Sequence, residues 1–319
     1  MLAGCETLAY YAQAVSGQVS LLSSTRTVSA LLADKTTPPA LRERLERARA
    51  IRDYASRELK LPDNGSYRSY ADIGRPYAVW NVVAAPEFAL EPLQSCFPVA
   101  GCVSYRGFFA QADAERHAAE LRVGGYDVYV YGVAAYSTLG RFDDPLLSSF
   151  IRLPDAELAR LLFHELAHQV AYVKDDSTFN ESFAVTVERE GVRRWLLASG
   201  RGLADWLADE ERRRLLVAEI QQARARLAQL YRSGIAVEAM RERKRRELEE
   251  LKQKLSARFK DVAPNNAFLA SFATYTELVN EFEYILKENG GDLERFYAQV
   301  RRYAASAPSN RGPLSKPSP

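Results

Sequence analysis

The sequence predicts an α+β fold that is predominantly helical, with a small, mostly antiparallel sheet and a long helical hairpin. Three observations lead there. β-Branched and aromatic runs fall at 79–83, 99–105 and 127–133. A helical stretch separates the second from the third, and strand, strand, helix, strand is an order that suits an antiparallel sheet packed on helices. Over much of the remaining chain, apolar residues recur three and four positions apart, which is the period of a helix with one buried face.

Taken in order, residues 6–60 read as helical, broken at Thr36-Thr37-Pro38-Pro39. Leu41, Leu45, Ala48 and Ile51 give the second piece an apolar face, and Leu61-Pro62-Asp63-Asn64-Gly65 is turn chemistry that ends it. After the first two strand runs, 110–122 forms a short helix ended by Gly124-Gly125. The strand over 127–133 is expected to run on through Tyr136-Ser137-Thr138-Leu139-Gly140. A helix then opens at Asp155 and extends to about Val173, and a second covers 181–198, stopping at Gly200. The charged stretch 204–260 is interrupted at Ser233-Gly234. Leu216, Ile220, Leu227 and Leu230 on one arm, with Leu248, Leu251 and Leu255 on the other, predict an antiparallel hairpin. Residues 267–303 are helical again, and the Ser/Pro/Arg text from Ser306 is expected to be disordered. The implied division is 1–5, a residual lipobox; 6–203, terminal helices, sheet and paired helices; 204–260, the hairpin; 261–304, a C-terminal helical part of the same domain; and 305–319, a tail.

With 43 basic and 41 acidic residues the net charge is +2. A balance this even provides no global field for nucleic acid or an anionic membrane, so no nucleic-acid partner is expected. No apolar run approaches the length that spans a bilayer. The start, Leu2-Ala3-Gly4-Cys5, matches a bacterial lipobox without its charged and apolar leader, which reads as a trimmed precursor with Met1 added. On that reading Cys5 is lipidated, and the protein is an envelope lipoprotein facing the periplasm. The alternative is a chance match in a cytosolic protein. Cys96 and Cys102 then remain, either as a disulfide closing a short loop or as two buried thiols.

The chemistry is concentrated at Phe163-His164-Glu165-Leu166-Ala167-His168. Residues four apart on a helix share a face, so both imidazoles can converge on one ion, while Glu165 lies one step around and can accept a proton from water activated there. Thirteen residues on, Asn180-Glu181 opens the next helix, and Glu181 can complete a His₂Glu set with a fourth place open. That is a catalytic zinc set. Flanking Leu162, Phe163, Leu166 and Val170 bury the helix, and buried histidines and a glutamate are costly without a partner. A chance pattern on an exposed helix would lack those flanks.

His164-Glu165-x-x-His168 followed by Asn180-Glu181-x-Phe183-Ala184 resembles the gluzincin metallopeptidases, which include thermolysin and the zinc aminopeptidases. The resemblance implies a zincin-like core and gives Glu188 a role behind a zinc-bound histidine, with Asn180 beside it. The aspartate that thermolysin carries four residues after its ligand glutamate has no counterpart, since Val185 stands there. Over nearly the whole chain, the sequence is closer still to a family of bacterial envelope lipoproteins known as predicted aminopeptidases. The matching stretches are 70–92, 101–109, 132–148, 163–191 and 265–275. The implied activity is hydrolysis of short peptides. Two departures stand against the better-known zinc aminopeptidases: the gap from His168 to Glu181 is shorter, and the Gly-x-Met-Glu-Asn element that grips an α-amine is absent. Asp143, Asp144 or Glu157 could take that role, and exo- and endopeptidase readings both stand.

By the same resemblance an edge strand before the zinc helix holds extended substrate, which selects Tyr136, Ser137, Thr138 and Gly140. An oxyanion donor is expected after the ligand helices. Tyr275 is the candidate, and a plain core tyrosine on an amphipathic helix fits it equally. Arg106 suits either a substrate carboxylate or a structural acid. A non-catalytic envelope interaction protein, binding through its hairpin, is the competing class, and it would have no use for Glu165.

Overall fold

The computed structural model describes residues 25–97, 101–135, 137–200, 202–256 and 262–306. Its fold is α+β and predominantly helical. Strand β3 (Val79–Ala85) is central to an antiparallel sheet, flanked by β6 (Arg106–Phe108) and β7 (Asp127–Val133). Side chains alternate across a strand. Val82 and Ala84 therefore face one way, with Phe108 and Val128, against Ala114 and Ala118 of α3 (Gln111–Val123). Val83 and Ala85 face the other, against Ala267 of α8 (Asn266–Thr276). A second sheet joins β1 (Arg26–Thr27) and β8 (Leu146–Leu147) to β2 (Ser69–Ala71), the β2–β8 pair being parallel.

Strand β4 (Ser95–Phe97) pairs with β5 (Gly101–Val103), and Cys96 and Cys102 are opposite one another and joined as a disulfide. The single strand expected over 99–105 is thus two short ones, β5 and β6, separated at Ser104-Tyr105. The break changes the pairing partner from β4 to β3.

Helices α4 (Asp155–Ala167) and α5 (Ser177–Ser199) pack on each other, and α4 also packs on α2 (Pro39–Arg57). On α4, Leu158-Leu162-Leu166 and Ala159-Phe163-Ala167 form two stripes at i, i+4, i+8, all fully buried. The helix ends at Ala167, capped by His168, rather than reaching Val173. Asn180 explains the early exit. Its side chain accepts from the Val173 N–H at 2.7 Å and donates to the Val173 carbonyl at 2.8 Å, occupying groups a continuing helix would have used. Gly191 sets the spacing of the two helices: a Cβ there would lie 2.8 Å from both Leu59 and Phe163. Only glycine lets α5 pass this close to α4.

The core continues into α9 (Val279–Glu288) and α10 (Leu293–Ala305), where Phe179, Phe183, Phe282, Phe296 and Tyr297 stack edge and face. Helix α1 (Val28–Ala33) covers α2. Helices α6 (Leu203–Tyr231) and α7 (Val237–Leu255) form the hairpin. Their ion pairs Glu219–Lys254 and Arg226–Glu247 run in opposite sequence order, so the arms are antiparallel. Ile220, Leu227, Leu251 and Leu255 share a core with Phe268 and Leu269 of α8. Among the described residues no helix is long and apolar enough to cross a membrane.

Arg52 is fully buried on α2 and donates to the carbonyls of Ser66 and Pro62 at 2.8 Å and to Ser56 Oγ at 2.6 Å. It thereby shapes the 61–67 turn, whose Asn64 and Ser66 bond Gln169 at the end of α4. Replacing Arg52 with methionine strands these acceptors and is expected to cost about 3 kcal/mol. Urea unfolding checks this, and an unchanged midpoint would contradict it.

Candidate metal centre

Helix α4 presents His164 and His168 one turn apart, with ring centroids 4.8 Å apart and planes at 86°. Helix α5 brings Glu181 across from the other side. Glu181 Oε2 lies 3.2 Å from His164 Nε2 and 3.8 Å from His168 Nε2, and one ligand atom from each of the three falls within 4.8 Å of the others. A tetrahedral ion with bonds of about 2.05 Å has edges of about 3.3 Å between ligand atoms. The cluster could therefore hold a metal ion, to which it offers two imidazoles and one carboxylate.

Glu188, two turns along α5, accepts from His164 Nδ1 at 2.8 Å. That bond assigns the tautomer and turns Nε2 towards Glu181. Burial disfavours charge on His164, but hydrogen bonds to Glu181 and Glu188 outweigh it and hold the ring well above its usual pKa. A proton thus sits where a divalent cation would displace it. His168 is the opposite case, since burial pushes it down to about 4 and leaves it neutral. Burial also works against ionising Glu181, yet His168 and His164 prevail and keep its carboxyl below the usual value. For Glu165, partly exposed beside the ligands, burial dominates and raises the pKa to about 7, with His164 pulling the other way.

The remaining expected site residues are more dispersed. The strand expected to run through Gly140 stops at Val133. Leu139 and Gly140 both take positive φ, +58° and +75°, which closes a turn that an extended strand cannot contain. Within it, Ser137 Oγ accepts from the Leu139 N–H, and the Thr138 N–H donates to Asp144 at 2.9 Å. Gly140 packs on Gln169. Asn180 clamps the loop before α5 as described above, its amide on Val173. Arg106 lies on β6 with its guanidinium over Phe108 at 5.6 Å, and it is not among the leading charges acting on Glu165 or Glu181. Tyr136, Cys5 and the Tyr275 side chain lie outside the described residues.

Of the three acids considered for an α-amine, Glu157 lies two turns before His164 on α4 and is paired with Arg213 at 2.7 Å. Asp143 is exposed and rests against Gly65. Asp144 is 3% exposed, raised by burial to about 6, and adds to the field at Glu165.

Two tyrosines escaped the sequence reading. Tyr105 is held well above its usual pKa by burial first, then by Glu181, Tyr131, Tyr172 and Glu165. Tyr172 is raised by burial and then by Glu181. Both hydroxyls stand in the field of the site's carboxylates. Tyr172, four residues past His168, could have been suspected. Tyr105 could not, because it arrives from the disulfide hairpin. That hairpin also grips the loop between the ligand helices: the Cys102 N–H donates to Asp175, and Gly101 at φ +77° leaves room for the Asp175 carboxylate.

A family model described as "Putative aminopeptidase" matches residues 9–313. The chain belongs to that family. Membership in this aminopeptidase family spans the sheet, α4 and α5, the hairpin and α8 to α10, so His164, His168 and Glu181 and the elements that carry them all fall within the match. No curated protein and no solved structure matches the chain.

Proposed function

We propose that the protein is a zinc-dependent peptidase of gluzincin type, with a zincin-like core, acting on short peptides and, as the family name suggests, from their amino end. The observation that carries this reading is the convergence of His164, His168 and Glu181 with a half-buried carboxyl, Glu165, in their field. Two imidazoles and one carboxylate, without thiolates, suit zinc in a catalytic rather than a structural site. The ion, when bound, supplies Lewis acidity that acidifies water and polarises a carbonyl.

Glu165 accepts the proton from the attacking water and returns it to the leaving amine. Glu188 holds the His164 ring in place throughout. Tyr105 and Tyr172, whose hydroxyls lie in the field of Glu181, are candidates to donate to charge developing on the carbonyl oxygen, a role the family resemblance had suggested for Tyr275. Asp144 is the acid best placed to meet an α-amine. Extended substrate adds to β7, an edge strand of its sheet among the described residues, rather than to the 137–140 turn. The Cys96–Cys102 disulfide suits an oxidising compartment, which agrees with an envelope lipoprotein anchored through Cys5.

The test is metal content by elemental analysis, together with hydrolysis of matched free and N-acetylated peptides. One zinc per chain and cleavage of free peptides alone are expected. Cleavage of acetylated peptides would make the enzyme an endopeptidase. Protein that takes no metal and cleaves neither would defeat the reading.

A further inference from the structure

Behind the ligands lies a set of buried charges that the proposed reaction does not use. Glu188 employs both carboxylate oxygens: Oε2 on His164 Nδ1 at 2.8 Å, and Oε1 accepting from Arg160 Nη1 at 3.0 Å. Arg160 stands one turn before His164 on the same face of α4, its side chain 14% exposed. Its other terminal nitrogen donates to Glu210 of hairpin helix α6, and the second Glu210 oxygen is 3.2 Å from Arg189 Nε on α5. Glu157 and Arg213 complete the set, 2.7 Å apart, with Glu157 3.7 Å from Arg160 Nε. Arg160, Arg189 and Arg213 thus meet Glu157, Glu188 and Glu210, with Glu283 also 3.3 Å from Arg189.

We propose that Arg160 is a positioning residue for the metal centre, and that Glu210 fastens it to the helical hairpin. The inference rests on His164 being a metal ligand. With the imidazole as its only partner, the Glu188 carboxylate would be free to turn about its last bond, and its charge, 10% exposed, would lack compensation. His164 would then lose the fixed acceptor that orients its ring and aims Nε2. The guanidinium prevents this because its planar fork bonds Glu188 and Glu210 at once, which a lysine ammonium cannot reproduce in that geometry. The hairpin is therefore part of the metal centre's support. It reaches a ligand in three contacts, from Glu210 through Arg160 and Glu188 to His164.

The experiment compares wild type, Glu188→Gln, Arg160→Lys, the double variant of those two, and Glu210→Gln. It measures zinc affinity by competition with a chromophoric chelator, the visible spectrum of the cobalt(II)-substituted protein, and far-ultraviolet circular dichroism of the metal-free form. Arg160→Lys and Glu188→Gln are each expected to weaken zinc binding by about 10-fold or more and to shift the cobalt bands, with the metal-free dichroism unchanged. The double variant should bind no more weakly than Glu188→Gln alone, since Arg160 acts through Glu188. Glu210→Gln should shift the cobalt bands the same way with a smaller loss. Glutamine matches glutamate in size and Glu210 lines a cavity of about 720 Å³, so that variant is accommodated and serves even if Arg160→Lys does not fold. Zinc affinity within about twofold of wild type and an unchanged cobalt spectrum in Arg160→Lys and Glu210→Gln would overturn the proposal, as would losses that multiply in the double variant. Those outcomes leave the peptidase reading intact, whereas wild type that takes no zinc overturns both.

Discussion

Glu165→Gln is expected to lower peptide hydrolysis by about 10²–10⁴-fold while zinc content remains that of wild type. The side chain binds no ion in this arrangement, so its loss removes the proton acceptor and leaves His164, His168 and Glu181 in place. Wild-type activity should carry an acid limb as Glu165 takes up its proton. Burial sets that pKa at about 7 in the metal-free protein, and a neighbouring divalent cation draws it lower, so the limb falls at or below pH 7. Stability moves the opposite way. A carboxyl whose folded pKa is raised is most compatible with the fold when neutral, and that benefit is lost as pH rises through about 7. Metal-free Glu165→Gln should therefore melt higher than wild type at pH 8 and equally at pH 4. Full peptidase activity in this variant, or a pH profile that is flat from 5 to 8, would remove Glu165 from the reaction.

Glu181→Ala should abolish zinc binding and activity together. For wild type, free zinc at 100 times its dissociation constant adds about 2.7 kcal/mol of stability, a rise of roughly 5 °C or more in melting temperature. Glu181→Ala leaves two imidazoles and no third ligand, and its melting temperature should not respond to the same zinc. Differential scanning fluorimetry in chelator and in zinc makes the comparison. An equal shift in wild type and variant would mean that the ion binds elsewhere.

The metal centre divides cleanly by the range of its contacts. His164 and His168 share a helix face four residues apart, so their convergence is a local property and is already present in the spacing. Glu181 was found because it opens the adjoining helix across a short loop. The stripes of α4, the arms of the hairpin and the β-branched strands were legible for the same reason: period along the chain reports which face is buried.

The missed features depend on distance through space. The turn at Leu139-Gly140 replaced a strand because Asp144 claims the Thr138 N–H and Gln169 packs against Gly140, neither of which a hydrophobic pattern records. Cys96 and Cys102 left disulfide and free thiols equally open until β4 and β5 paired in register. Tyr105 entered the site only through that hairpin's docking. The sequence by itself determined that His164, His168 and Glu181 converge into a cluster that could hold an ion, and the helical frame that carries them, because those follow from neighbours within a few turns. The tertiary structure alone decided which tyrosines lie in the field of Glu181 and which buried charges stand behind His164, because Arg160 and Glu210 meet 50 residues apart in the chain and nothing in their spacing requires it.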